Sequence, residues 1–324
     1  MKISVVLSVY NEEEILPRVF QEISELAGNL SFETEWIFVD DGSHDNSSML
    51  IREFCSSFRI LRSEAHLIRF SRNFGHESAM IAGIDHSGGD AVICMDADLQ
   101  HPLTLIPQMA ETFERGYEII NMVRRKNEGT KGIGRFLSSL FYPFLSRISG
   151  QELAGNASDF FLISKQVALI LKTRYRERNR FLRALIQTIG FKKTTLEFIA
   201  PARKAGKTKY SFKNLVSLTF QAVTSFTKAP LSLGIWFGIF FAIISLALGI
   251  YTLVVYFFGE TPPSGYTTIV LFMSISFTFL FFMIGIIGIY VGHLFDEQKR
   301  RPLYLIEESD LPVTSPDEVN KMFL

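Results

Sequence analysis

Short apolar runs and longer stretches of helical spacing alternate along Met1–Ala200. Ile3–Val9, Trp36–Val39, His66–Phe70, Ala91–Met95 and Glu118–Val123 are rich in β-branched residues and have the length of buried strands. Between them, Glu13–Leu26, Ser47–Phe58, Glu77–Asp85 and Leu103–Arg115 space their apolar residues as helices do, the last started by Pro102 near its first turn. This alternation predicts an α/β domain: a mainly parallel, Rossmann-like sheet with helices on both faces. Ligands of such sheets bind at the carboxyl ends of the strands.

The pattern then changes. Leu231–Phe258 and Tyr266–Gly292 carry no charged residue, and each exceeds the ~20 residues that cross a bilayer. Two buried helices of that length would need a thicker core than the remaining chain can build. Two C-terminal transmembrane helices are expected instead, as a hairpin over residues 230–295. The link Gly259–Gly265 holds one charge, Glu260, whereas Arg203, Lys204, Lys207, Lys209, Lys213 and Lys228 precede the spans and Lys299, Arg300 and Arg301 follow them. The positive-inside rule puts both flanks, and with them the domain 1–200, in the cytoplasm of a plasma or inner membrane. No signal peptide is read at Met1–Val9. Residues 201–229 form a juxtamembrane segment in which Tyr210–Phe226 reads as an amphipathic interfacial helix, with Lys209, Lys213 and Lys228 toward anionic headgroups. The tail 296–324, with Pro302, Pro312 and Pro316 and mixed charge, is expected to be cytoplasmic and loosely ordered from Arg301 on.

Composition sharpens this picture by exclusion. Of 324 residues, 48% are hydrophobic and 20% charged, too apolar for a disordered chain. Lys and Arg balance Asp and Glu at 33 each, so no global basic field points to nucleic acid. The two cysteines, Cys55 and Cys94, have no metal-ligand partner at short spacing, which argues against a disulfide scaffold or a zinc site. The six histidines show no ligand spacing and read as ordinary, except His76 within a polar cluster.

Four such clusters follow the first four predicted strands: Tyr10-Asn11-Glu12-Glu13-Glu14, Asp40-Asp41-Gly42-Ser43, Ser71-Arg72-Asn73-Phe74-Gly75-His76 and Asp96-Ala97-Asp98-Leu99-Gln100. They converge on one sheet edge. Crowding Asp40, Asp41, Asp96 and Asp98 there costs repulsion that a hard divalent cation, Mg2+ or Mn2+, would relieve.

Taken in order, SVYNEEE (Ser8–Glu14), VDDGSHDNS (Val39–Ser47), RFSRNFGHESAMIAGID (Arg69–Asp85), MDADLQHP (Met95–Pro102), SDFFLIS (Ser158–Ser164) and RKAGKTKYSF (Arg203–Phe212) resemble the family-2 glycosyltransferases of GT-A fold. Within that family the chain is similar to the polyprenyl-phosphate glycosyltransferases of the GtrB and dolichol-phosphate mannose synthase type, over about residues 2–300. The resemblance implies inverting transfer of one hexose from a nucleotide sugar, UDP-linked by expectation, to a polyprenyl phosphate such as undecaprenyl phosphate, supplying a lipid-linked donor for cell-envelope glycosylation. It implies that Tyr10, Asn11, Glu12, Asp40 or Asp41, Arg72 and Asn73 meet the nucleotide. Asp98 would hold the metal, with Asp96 shared between ribose and metal, and Gln100 would face the hexose. Asp159 corresponds to the family's catalytic base. Implied partners are the donor, the lipid phosphate and the bilayer, with room for a homo-oligomer, a flippase and a downstream glycosyltransferase, and no nucleic acid.

Chemistry qualifies the base. A phosphate monoester has its second pKa near ~6, so the acceptor is already mostly a dianion at neutral pH, and Asp159 is expected to position it as much as to deprotonate it. Such an anion needs cations. Arg124, Arg125, Lys131 and Arg135 after the fifth strand, and Arg203, Lys207 and Lys209 near the membrane, are the candidates. The chain departs from the family pattern at Ser8-Val9, which lack the usual proline, at Ser158 for Gly, and at Phe161 for the Arg after Asp159-Phe160. A substitute cation, or a shifted acceptor site, follows from the last. Two alternatives fit the sequence less well. A processive polysaccharide synthase would bring a Gln-x-x-Arg-Trp signature and more spans, and a silent nucleotide-sugar-binding scaffold would have no need of Asp96, Asp98 and Asp159. No motif reports the pocket shape that selects among glucose, N-acetylglucosamine, mannose and aminosugars.

Overall fold

The computed structural model describes residues 1–125, 157–178, 182–199, 229–258 and 265–311. They form two compact units, one built from the N-terminal region and the chain from Arg301 on, the other from the two long helices. The first unit runs β1 (Lys2–Val9), α1 (Leu16–Ala27), β2 (Glu33–Asp40), α2 (Ser47–Ser57), β3 (Ser63–Phe70), α3 (His76–His86), β4 (Ala91–Asp96), a 3-10 turn at Leu103–Leu105, α4 (Ile106–Glu114), β5 (Ile119–Arg124), β6 (Ala157–Ser164), α5 (Lys165–Thr173), α6 (Leu182–Thr188) and β7 (Lys193–Phe198). All five predicted strands and four predicted helices are present, with ends shifted by a few residues.

One eight-stranded sheet has the order β7-β5-β6-β4-β1-β2-β3-β8. β1 pairs in parallel with β2 and β4, β2 with β3, and β5 with β7. β6 enters antiparallel between β4 and β5. Period-2 alternation sends Ile3, Val5, Leu7 and Val9 to a core with α1, α2 and α4, and Val6 to a second core with α3, α5 and α6. α3 lies directly on β1 because Gly83 has no side chain: a Cβ there would stand 2.1 Å from Val6 Cγ1. That close approach carries the start of α3 to the carboxyl ends of β1 and β4.

The tail corrects an expectation. The chain after Arg301 is not loose throughout, since β8 (Ile306–Ser309) pairs antiparallel with β3 and extends the sheet. Tyr304 stacks on Phe70 with ring centres 5.1 Å apart and donates its hydroxyl to Asp85 Oδ2 at 2.7 Å. Ser71 N donates to Leu305 O at 3.0 Å, fastening β3 just where it gives way to the third polar cluster.

The second unit holds α7 (Ala229–Phe258) and α8 (Tyr266–Gln298). Gly234–Phe258 and Thr268–Gln298, 25 and 31 residues, are long and apolar enough to cross a membrane. Their faces are largely exposed hydrophobics such as Trp236, Ile243, Phe257 and Phe281, while Phe237 and Phe241 pack on Phe279 with ring centres 4.7 and 5.2 Å apart. The expected helix at Tyr210–Phe226 and most of the link between the spans lie outside the described residues.

Candidate active site

The loops after β1 and β2 are laced together by backbone groups. Asn11 N donates to Ser43 Oγ (2.9 Å), Glu12 N to Ser47 Oγ (2.9 Å) and Glu13 N to Asp45 Oδ2 (3.1 Å), while Asn11 Oδ1 accepts from His44 N (2.9 Å). Asn11 takes a left-handed backbone, φ 54°, which an asparagine adopts more readily than most residues. Tyr10 projects from this loop, exposed. Asp40 and Asp41 are both buried. Asp40 accepts from Ser43 N at 2.9 Å and lies 3.7 Å from Arg69. Asp41 accepts from Phe74 N at 2.6 Å and Gly75 N at 2.9 Å, so its visible work is to hold the third cluster. Burial pushes its carboxyl upward against those bonds. Between the two loops Gly42 (φ 68°) approaches so closely that a Cβ would meet Arg72 C at 2.5 Å. Arg72 stacks over Phe74, 4.0 Å from the ring centre, and Asn73 is exposed beside it.

The fourth loop starts at Asp96. His101, buried behind it, accepts from Asp96 N through Nδ1 at 3.0 Å and stacks on Phe160. Burial holds this imidazole down at about 3, so it is neutral with its proton on Nε2. Asp98 Oδ1 accepts from Gln100 N at 3.0 Å, around a left-handed Leu99 (φ 57°) that costs roughly 1–2 kcal/mol of backbone strain. Strain of this kind recurs where a loop must aim functional groups. Gln100 Oε1 accepts from Arg124 at 2.9 Å, which ties the end of β5 to this loop. Arg125 is exposed next to it.

Because β6 runs antiparallel to β4, its first residues reach the same edge, and Asp159 arrives there from the start of a strand rather than from its end. His76, the first residue of α3, stands between: Nδ1 is 2.7 Å from Ser8 Oγ, and Nε2 is 3.4 Å from Asp96 Oδ1 and 3.9 Å from Asp159 Oδ2. Arg183 Nε lies 3.7 Å from Asp159 Oδ1. Glu77 faces the same group. Burial pushes its carboxyl up to about 7, with Asp159 adding repulsion, and burial likewise pushes Asp96 up to about 6 although His76 opposes the shift. Four carboxylates share one small region, and the raised carboxyls of Glu77 and Asp96 show the strain of that crowding and burial. A divalent cation removes that strain, so the donor set fits Mg2+ or Mn2+.

A separate group, Glu35, Glu64 and His66, could also hold a metal by distance, but it lies toward the amino ends of the strands. Ser4 Oγ, Gly88 N and Lys2 already occupy Glu35, so its role there is structural. Lys131, Arg135, Arg203, Lys207 and Lys209 lie outside the described residues. Composition could not single out Arg183, Glu77 or the place of His76. The one signal for Arg183 was the spacing of Leu182, Leu185 and Ile186, which predicts a buried helix face next to it.

The profile of glycosyl transferase family 2 matches residues 4–169, from β1 through the site carboxylates and β6. The protein belongs to this family. It is a glycosyltransferase. Its relatives match nearly end to end: the uncharacterized glycosyltransferase YkcC of Bacillus subtilis is 33% identical over 306 residues, 94% of this chain and 93% of that protein. The SfII prophage-derived bactoprenol glucosyl transferase of Shigella flexneri is 32% identical over 95% of this chain and 98% of its own. Among solved structures, mannosyl-3-phosphoglycerate synthase from Rubrobacter xylanophilus covers 69% of this chain and 72% of its own at 16% identity, with a TM-score of 0.48.

Proposed function

We propose that the protein transfers one hexose, with inversion, from a UDP-linked sugar to undecaprenyl phosphate at the cytoplasmic face of the membrane. The observation that carries the reading is the convergence of Asp96 and Asp159 on His76, with Asp98 beside Asp96, at the edge of a sheet whose chain also bears two membrane-length helices. The end-to-end likeness to a bactoprenol glucosyl transferase supports the lipid acceptor.

In this reading Asp98 and Asp96 hold the divalent cation, which supplies Lewis-acid stabilisation of the departing nucleoside diphosphate. The loops bearing Tyr10, Asn11, Glu12, Asp41, Arg72 and Asn73 receive the nucleotide, and Gln100, steadied by Arg124, faces the hexose. An oxygen of the acceptor phosphate forms the new bond to the anomeric carbon as the bond to the diphosphate breaks. The acceptor reacts as a dianion, so Asp159 orients it and removes a proton only from the minority monoanion. That both flanks lie on one side of the membrane is supported by β8, since the chain after α8 returns to the sheet that precedes α7; that this side is the inside rests on the basic flanks.

The test supplies purified protein in detergent with Mg2+, each of several radiolabelled nucleotide sugars and polyprenyl phosphate. Label extracted into the lipid phase from one sugar, abolished by EDTA, is the expected result. Transfer only to water or to a growing polymer would overturn it.

A further inference from the structure

The acceptor of the proposed reaction is a dianion, yet it must approach a region already holding Asp96, Asp98, Asp159 and Glu77. Something must receive it. Along the sheet the nucleotide loops follow β1, β2 and β3, the Asp96–Asp98 loop follows β4, and Asp159 comes from β6 on the far side of β4. A cation serving the acceptor therefore belongs beside Asp159, away from the nucleotide loops. Among the described residues, two basic side chains pair with Asp159, and one of them, His76, also pairs with Asp96.

The other is Arg183, and its placement is built. Glu77 Oε2 accepts from Leu182 N at 2.9 Å, fixing the first turn of α6 to α3. Leu182, Leu185 and Ile186 are buried in one cluster with Phe161 and Ile163, which share the face of β6 that carries Asp159. Phe161 is itself fully buried, so the polar group on this face is Asp159, and the arginine that meets it comes from a helix. The Arg183 side chain remains 29% exposed, and its 3.7 Å contact with Asp159 is longer than a hydrogen bond. The guanidinium fork, part-exposed beside Asp159, matches the paired oxygens of a phosphate.

We propose that Arg183 binds the phosphate of the lipid acceptor, pairing with it beside Asp159. The assignment rests on the reaction proposed above. It is tested with Arg183→Gln and Arg183→Lys in the full-length protein, using a short-chain polyprenyl phosphate as acceptor and calorimetric binding of UDP with Mg2+ as an independent readout. Arg183→Gln is expected to raise the acceptor KM roughly ten- to a hundred-fold, the range for losing a charge-assisted bond, and to leave UDP affinity within about twofold. Arg183→Lys, keeping charge without the fork, should fall between. An unchanged acceptor KM in both variants, or a loss of UDP affinity as large as the rise in KM, would overturn it. If Arg183→Gln fails to fold, Arg183→Lys decides by the same two measurements. Wild-type transfer to the lipid with unaltered variants rejects only Arg183, whereas a wild type that transfers to no polyprenyl phosphate rejects the reaction itself.

Discussion

The two flanks of the site are built differently. On the side proposed to receive the nucleotide, carboxylates and hydroxyls are spent on backbone amides at 2.6–3.1 Å: Asp41 on Phe74 and Gly75, Ser43 on Asn11, Ser47 on Glu12 and Asp45 on Glu13. On the side proposed to receive the acceptor, His76 and Arg183 stand 3.4–3.9 Å from Asp96 and Asp159, longer than the hydrogen bonds of the first flank. The first flank is a finished frame, because each bond satisfies a backbone group that would cost free energy if buried alone. The second is an arrangement of charges whose balance is completed by ligands. Changes on the acceptor side should therefore act on turnover and acceptor KM, and changes on the nucleotide side on UDP affinity and stability.

The largest effect should come from Asp98. Asp98→Asn or Asp98→Ala should remove most turnover, since Lewis-acid stabilisation is worth several kcal/mol, and EDTA should silence the wild type reversibly. Full activity in excess chelator would remove the charge-balance account of this flank. Next is Asp159→Asn, which keeps shape and one acceptor oxygen while losing charge. If Asp159 positions the acceptor, the loss, on the order of a hundred-fold, should be nearly constant from about pH 6.5 to about 8.5, above the acceptor's second pKa. A deficit that shrinks steeply as pH rises, with metal affinity unchanged, would make it an obligatory base.

A smaller, stability-linked effect is expected on the nucleotide flank. Gly42→Ala forces a left-handed backbone on alanine and drives its Cβ into the Arg72 backbone, which cannot yield as a side-chain tip would. A loss of roughly 1–3 kcal/mol follows, read as a lower melting temperature and weaker UDP binding with kcat for bound substrate little changed. A fall in kcat alone would break the division between the flanks.

The same division explains what was legible. Strands β1 to β5 and their loops could be read because each buried run ends in a turn whose residue types are fixed by local geometry, as with Gly42 after Asp41. β6 was seen only as a motif, and its antiparallel entry, which delivers Asp159 from a strand start, depends on pairing with β4 that no local pattern encodes. Arg183 was missed because an arginine flanking an apolar helix face reads as solvated until the partner of that face is known. β8 was missed for a plainer reason: Ile306–Ser309 holds one strongly apolar residue in four, and its stability comes from pairing across more than two hundred residues of chain.

That late strand offers the mildest test, and it concerns how the nucleotide frame is finished. Tyr304 contributes a ring stacked on Phe70, whose neighbour Ser71 is bonded to Leu305, and a hydroxyl donated to Asp85, which also accepts from Arg176 at 2.8 Å. Burial and the neighbouring carboxylate push the phenol well up, so it is a neutral donor throughout the working pH range. Tyr304→Phe keeps the stack and removes the hydroxyl, while Asp85 retains its arginine. The cost should be about 1 kcal/mol, seen as a drop of about 2–4 °C in melting temperature with UDP affinity unaltered. Tyr304→Ala removes the ring as well and loosens β3 at the start of the Ser71–Gly75 loop. It should lower UDP affinity severalfold in addition, leaving the acceptor KM where it was. If Tyr304→Ala leaves UDP affinity intact, the returning strand merely covers a sheet edge, and the nucleotide frame is complete without it.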